Sequence, residues 1–179
     1  MRVLILRMFL ALVLGAGFCG WASAGQVVQL GDAPSGVTLL NQDERGLSLR
    51  VDIGSLHFQP VSTAEGDFVL LAVEGFSRSH RIGEPNLPMV NRLLSVPFGC
   101  ELQAEVTESE MEEIFLADYG LTVPIMPVQP SLSKSQDPAE VPFEYNQELY
   151  GRSGYYSLPL TETSDVGIMR ALHLGMVSM

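Results

Sequence analysis

Ile82-Gly83-Glu84-Pro85-Asn86-Leu87-Pro88-Met89-Val90 is the stretch from which the fold can be read. Pro85 and Pro88 fix φ at two points, and each biases the residue before it toward extended geometry. Gly83 can take a positive φ that a side chain would resist. Leu87, held extended ahead of Pro88, makes a short apolar peg for a core. Downstream, residues 89–96 put Val90, Leu94 and Val96 on one side and Asn91 and Ser95 on the other. Pro97-Phe98-Gly99 is a turn signal. Residues 101–107 then alternate, with Leu102, Ala104 and Val106 opposite Glu101, Gln103, Glu105 and Thr107, the period of a half-buried strand. The element therefore leads into a predicted β-hairpin of 89–96 with 101–107.

Working toward the N-terminus, residues 68–73 are apolar without a break, as suits a central strand covered on both faces. Ala64-Glu65-Gly66-Asp67 is a turn ahead of it. In 46–53, Leu47, Leu49, Val51 and Ile53 alternate with Ser48, Arg50 and Asp52, a second half-buried strand. Gly54 breaks it, and Leu56, Phe58 and Val61 continue the apolar face around Pro60. Two short apolar pieces, 26–30 and 37–40, flank a Gly/Pro-rich link and read as an edge hairpin or a loosely attached start.

Toward the C-terminus, Ser109 and Glu112 fit a capping box for one short helical turn, followed by extended chain; the alternative is a strand through Ile114-Phe115-Leu116. Pro124, Pro127 and Pro130 exclude a central strand from 121–130 and favour polyproline-like chain or a sheet edge. Residues 131–142 read as an exposed polar loop. Phe143, Tyr145, Tyr150, Tyr155 and Tyr156 cover a β core or, in an alternative reading, form a contact surface. Residues 166–177 are apolar around a single Arg170 and read as one strand, which makes Arg170 an internal strand residue.

The bulk numbers narrow the class. The 179 residues suffice for one domain with a core, and the 46% hydrophobic content is too high for disorder. A formal net charge of -11 argues against nucleic acid, since nothing neutralises a row of phosphates. Arg2 and Arg7, an apolar run over 9–18 and Ala22-Ser23-Ala24 make an export signal, cleaved after Ala24. That run is far short of the ~20 residues a spanning helix needs, so no membrane association is expected after cleavage. Of two cysteines, Cys19 leaves with the signal. Cys100 then has no partner for an internal disulfide and reads as a small, partly buried residue. His57, His80 and His173 lie in no recognisable catalytic or metal-ligand spacing, and the acidic run at 108–113 lacks the pattern of a calcium loop. No catalytic, cofactor or metal site is expected. Arg78, His80 and Arg81 are the one basic cluster, read as a solvated loop.

Together these readings describe a secreted, all-β antiparallel sandwich. The order of its short motifs says more. A G-x-P-x-L-P element (Gly83, Pro85, Leu87, Pro88), an apolar strand and a V-P-x-G turn (Pro97, Gly99) resemble the N-terminal propeptide of gingipain-type cysteine peptidases. The resemblance continues through Pro127-Val128-Gln129-Pro130, Tyr155-Tyr156-Ser157-Leu158-Pro159 and the apolar run at 166–177, covering about residue 47 onward. The export signal takes 1–24 and leaves 25–46 as N-terminal strands or linker, and the resemblance implies a β-sandwich pro-domain over 47–179, truncated at its C-terminus. It further implies a partner, the chain's own downstream peptidase, whose cleft the pro-domain covers while assisting its folding. The catalytic Cys/His pair would lie beyond Met179. If that peptidase prefers basic residues, an exposed cation would plug its pocket: Arg152 first, flanked by Gly151 and Ser153, then Lys134 and Arg81. The competing class is a secreted binding or adhesion module built on the tyrosines.

Overall fold

The computed structural model describes residues 25–43, 46–137, 140–154 and 158–179. The export signal and its cleavage site lie outside the described residues, as do Tyr155 and Tyr156.

Strands β1 (Gln26–Gln29), β4 (Ser55–Thr63) and β5 (Gly66–Ala72) form an antiparallel sheet in the order β1-β4-β5. The β4–β5 turn closes on itself: Thr63 Oγ1 donates to the Gly66 carbonyl at 2.9 Å and accepts from Glu65 N–H at 3.2 Å. Val28, Phe58, Val69 and Leu71 are the buried centre, with Leu56, Leu87 and Ile125 among the partly buried residues packed on it. Phe58 is only 1% exposed, and Tyr119 meets its ring edge-on at 5.3 Å. The apolar run is buried as its composition requires: Phe68, Val69, Leu70, Leu71 and Val73 all lie inside. β5 is nevertheless the last strand of its sheet. Its outer edge is taken by the proline-rich chain, with Val69 N–H donating to Pro124 O (2.9 Å) and Met126 N–H to Val69 O (2.7 Å). Proline thus confined this segment to a sheet edge, as expected.

The two N-terminal pieces do not pair with each other. β1 joins β4, whereas β2 (Gly36–Gln42) pairs with β3 (Leu47–Asp52). Gly54 is the cause. Its carbonyl accepts from Leu30 and Gly31 N–H (2.8 and 3.2 Å), and its own N–H donates to Ser35 Oγ (3.0 Å). A Cβ there would lie 1.9 Å from the Ala33 carbonyl oxygen, so only glycine lets the link fold onto this point. The link sends β1 and β2 to different sheets.

The second three-stranded sheet runs β8 (Asn91–Val96), β10 (Leu172–Ser178), β9 (Glu162–Met169), all antiparallel. Two expectations fail here. Residues 101–107 are not a strand, although the turn before them forms, with Cys100 N–H donating to Pro97 O at 3.1 Å and Gly99 at φ 80°. β10 occupies β8 along its whole length, and Leu102 instead lies over the sheet at Gly175, where a Cβ would meet its side chain at 2.7 Å. Val106 stays 42% exposed. Nor is 166–177 one strand: it is the β9–β10 hairpin, closed through Met169–Leu172 by a two-residue turn. Arg170 (φ 50°) and Ala171 (φ 63°) both adopt the left-handed conformation, the geometry of a primed hairpin turn without its usual Asn or Gly.

A two-residue ribbon, β6 (Ser77–Arg78) with β7 (Pro88–Met89), completes the strands. The helical turn is a 3-10 turn at Leu116–Tyr119, ended by Gly120 at φ 72°, and not a capped turn at Ser109. Residues 108–113 are exposed throughout and offer no apolar face to hold a helix, whereas Leu116 and Tyr119 pack on the core. α1 (Gln147–Tyr150) is a single turn capped by Asn146. The all-β, antiparallel reading holds. Tyr145 stacks on Tyr150 at 4.3 Å and lies 6.4 Å from Phe68, so both cover the core, and the Tyr150 hydroxyl donates to Ile125 O at 2.8 Å.

Two stability outcomes follow from this packing. Phe58→Ala should cost about 3–5 kcal/mol, and Leu87→Ala only about 1–3, because Leu87 is half-buried; denaturant midpoints at constant m-value measure both. Ala171→Gly should stabilise by about 0.5–1 kcal/mol, since glycine removes the left-handed penalty and returns part of the gain as chain entropy.

Candidate functional site

The G-x-P-x-L-P element is a scaffold, and the candidate contact groups hang from it and around it. Gly83 is buried at φ 80°; its N–H donates to Val128 O (2.8 Å) and its carbonyl accepts from Asn146 N–H (3.0 Å). Val128 N–H returns a bond to Glu84 O (2.8 Å), and Asn86 N–H donates to Met126 O (2.9 Å). On the other side Ser79 serves the motif twice: its Oγ donates to Pro85 O and accepts from Leu87 N–H, both at 3.0 Å. Pro85 and Pro88 keep the chain extended so that these alternating groups line up. Gly83, Pro85, Leu87 and Pro88 therefore hold backbone in place, and Pro97 and Gly99 make a turn; none presents a reactive group.

The basic side chains sit on separate elements. Arg81, just ahead of the motif, pairs with Glu162 at the start of β9, both side chains being partly exposed. Lys134 lies in the exposed stretch 131–137. Arg152 follows α1 and pairs with Glu148 one turn back, with the arginine side chain 65% exposed. Arg81 and Arg152 thus each have a carboxylate partner of their own. Sequence reasoning missed the fourth. Arg170 stands exposed at the apex of the β9–β10 turn, not inside a strand. The available signal was length: a 12-residue apolar run interrupted by one charge is about twice the usual strand of 5–6 residues.

Below that apex, His173 Nε2 lies 3.2 Å from both carboxylate oxygens of Asp165, and Phe98 stacks on the imidazole at 6.2 Å. Asp165 Oδ1 also accepts from Gly167 N–H at 2.7 Å. The hydrogen bond from His173, followed by that from Gly167, holds the Asp165 carboxyl below the usual carboxylate range. Cys100 is exposed, not partly buried. No cluster of His, Cys, Asp and Glu that would hold a metal ion occurs among the described residues. No helix among them is long and apolar enough to cross a membrane.

The sign of the Asp165 effect is fixed. A depressed folded-state pKa contributes stability above the unfolded value and loses it as pH falls through the lower folded one. An NMR titration should find Asp165 below the ordinary value of about 3.9, and His173→Ala should raise it back toward that value.

Comparisons place the chain among known proteins. Residues 26–179 match the family model Propeptide_C25. Lys-gingipain of Porphyromonas gingivalis is 31% identical over 175 residues, which are 97% of this chain and 10% of that protein. Lys-gingipain HG66 from the same organism is 31% identical over 144 residues, 80% of this chain and 8% of its own length. The chain thus spans a tenth or less of the length of these relatives. Among solved structures, one on the zymogenic latency of gingipain K from Porphyromonas gingivalis superposes with a TM-score of 0.77 at 29% identity, covering 87% of this chain and 85% of that one. The complex of the Porphyromonas gingivalis RgpB pro- and mature domains gives a TM-score of 0.61 at 24% identity, with coverage of 79% and 70%, and shares the fold.

Proposed function

Because the chain belongs to the Propeptide_C25 family, we propose that it is the pro-domain of a secreted gingipain-like cysteine endopeptidase, assisting the folding of that peptidase and keeping it latent. The family match across 26–179 carries the reading. The domain plan is a signal at 1–24, N-terminal strands at 25–46 and the pro-domain proper at 47–179. The partner is the peptidase domain of the same precursor. It would supply the Cys/His pair, and this segment alone has no peptidase activity. The similar gingipain K structure is described in terms of zymogenic latency, and the RgpB structure is a complex of pro- and mature domains.

Latency needs a body that covers the cleft and does not deform while doing so. The motif-centred backbone network supports such a body. If the peptidase prefers basic residues, one cation fills its pocket. Arg152 leads, because its pairing with Glu148 is a surface i,i+4 contact worth only about 0.3–0.5 kcal/mol, so release costs little. Lys134 comes next from its exposed loop. Arg81 ranks third, since it would have to leave Glu162, which ties it to β9.

The test is the inhibition constant of the exported chain against its own downstream peptidase. Wild type is expected to inhibit, and removal of the true plug by Arg152→Ala, Lys134→Ala or Arg81→Ala to weaken inhibition by about tenfold or more, the value of one charge-assisted contact. Three variants that all inhibit as tightly as wild type would leave steric cover as the mechanism. A wild-type chain without effect on the peptidase would end the pro-domain reading.

A further inference from the structure

The tip of the β9–β10 hairpin has features that the fold does not use. Arg170 forms its apex and makes no ion pair among the described residues. Around it are large apolar side chains left in water: Ile168 is 69% exposed, Met169 58%, Leu172 54% and Phe98 64%. Scattered exposed apolar residues are normal; several crowded around one turn are not. Their register is informative. Ile168 lies opposite His173, on which Phe98 stacks, so these three share one face of the sheet. Met169 lies opposite Leu172, one residue on in each strand, so this pair points to the other face. An apolar patch on one face would fit a flat partner. Apolar side chains on both faces of a narrow tip require walls on both sides.

We propose that this tip is a wedge that enters an apolar-walled cleft of a partner protein with a carboxylate at its floor to receive Arg170. The floor is assigned by charge. The chain as a whole is strongly acidic, at -11, so an exposed arginine without an ion pair is one of the few points at which it can meet an acidic group favourably. An arginine that becomes desolvated between apolar walls needs a carboxylate, and the planar guanidinium accommodates one in bidentate fashion. The wedge is also stiff before it binds. The cross-strand pair at Met169–Leu172, the His173–Asp165 contact at 3.2 Å and the Asp165–Gly167 bond at 2.7 Å brace its base. Arg170 itself sits in the left-handed region, a cost that Asn or Gly at that position would reduce. A braced tip loses little entropy on binding.

The occupant rests on the pro-domain reading: the wedge seats on the downstream peptidase domain, at a place separate from the pocket assigned to Arg152, Lys134 or Arg81. The experiment pairs inhibition by the exported chain with hydrogen exchange of the complex. Arg170→Ala is expected to weaken inhibition by about tenfold and Arg170→Glu by more, with unchanged unfolding midpoints because Arg170 is exposed. Ala171→Gly keeps the arginine and should stay within about twofold of wild type. Residues 166–173 should gain protection when the peptidase is added. Wild-type inhibition that both Arg170 variants match, with no protection at 166–173, overturns the wedge and leaves the pro-domain reading intact. A wild-type chain that does not bind the peptidase at all overturns both. Protection of the tip by self-association, seen in sedimentation without peptidase, makes the occupant a second copy of this chain and also overturns the proposal.

Discussion

The rest of the structure depends on one set of backbone hydrogen bonds, those between 83–86 and 126–128. The segment 124–128 lies between two neighbours and serves both. Toward β5 it uses Pro124 O and Met126 N–H; toward the motif it uses Met126 O, Val128 N–H and Val128 O. Prolines contribute no donors, so the donors of Met126 and Val128 carry the pairing, one to each side. This arrangement converts what would be an open edge of the β1-β4-β5 sheet into a joint with the motif. The motif in turn continues through Pro88–Met89 into β8, where Val90 and Met179 exchange backbone bonds at 2.6 and 2.8 Å. The two sheets are connected through irregular chain whose every kink is fixed by proline, glycine or Ser79.

That construction separates stiffness from presentation. The residues that make the motif conspicuous are spent on backbone geometry, and the groups with charge to offer are placed outside it. Arg81 is the exception that binds the two together, since its pairing with Glu162 links the loop ahead of Gly83 to β9. The apex arginine is supported differently, by a short strand pair and by an imidazole–carboxylate contact, with no glycine in the turn itself.

Much of this was legible in the residues, for reasons that can be named. A period-two pattern found β3, the apolar face carried on by Leu56, Phe58 and Val61 marked β4, the uninterrupted apolar run located β5, and proline spacing confined 121–130 to an edge. Strand pairing was less legible, because local pattern does not say which edge is already taken. Residues 101–107 alternate well, yet β8 was claimed by β10 from the far end of the chain. The link at 31–35 reads as a hairpin turn, but its destination is set by a contact at Gly54 that no local pattern encodes. The β9–β10 turn was hidden because its two left-handed positions carry Arg and Ala, which announce nothing. Candidate contact residues were legible as cations only; their partners, and so the cost of freeing them, needed the fold.

The order β8-β10-β9 sets a schedule for folding. β10 is the last of the described strands in chain order and the middle strand of its sheet. A chain that emerges N-terminus first can close the β4–β5 hairpin early, since that turn is local. β8, by contrast, waits for residues 172–178 before its partner exists. Until then β8 and β9 both present unpaired edges, and the sheet assembles through long-range pairing, the slow kind. This half of the molecule therefore has no stable shape until residues 172–178 have emerged, and a chain interrupted between residues 169 and 172 holds two strands with nothing between them.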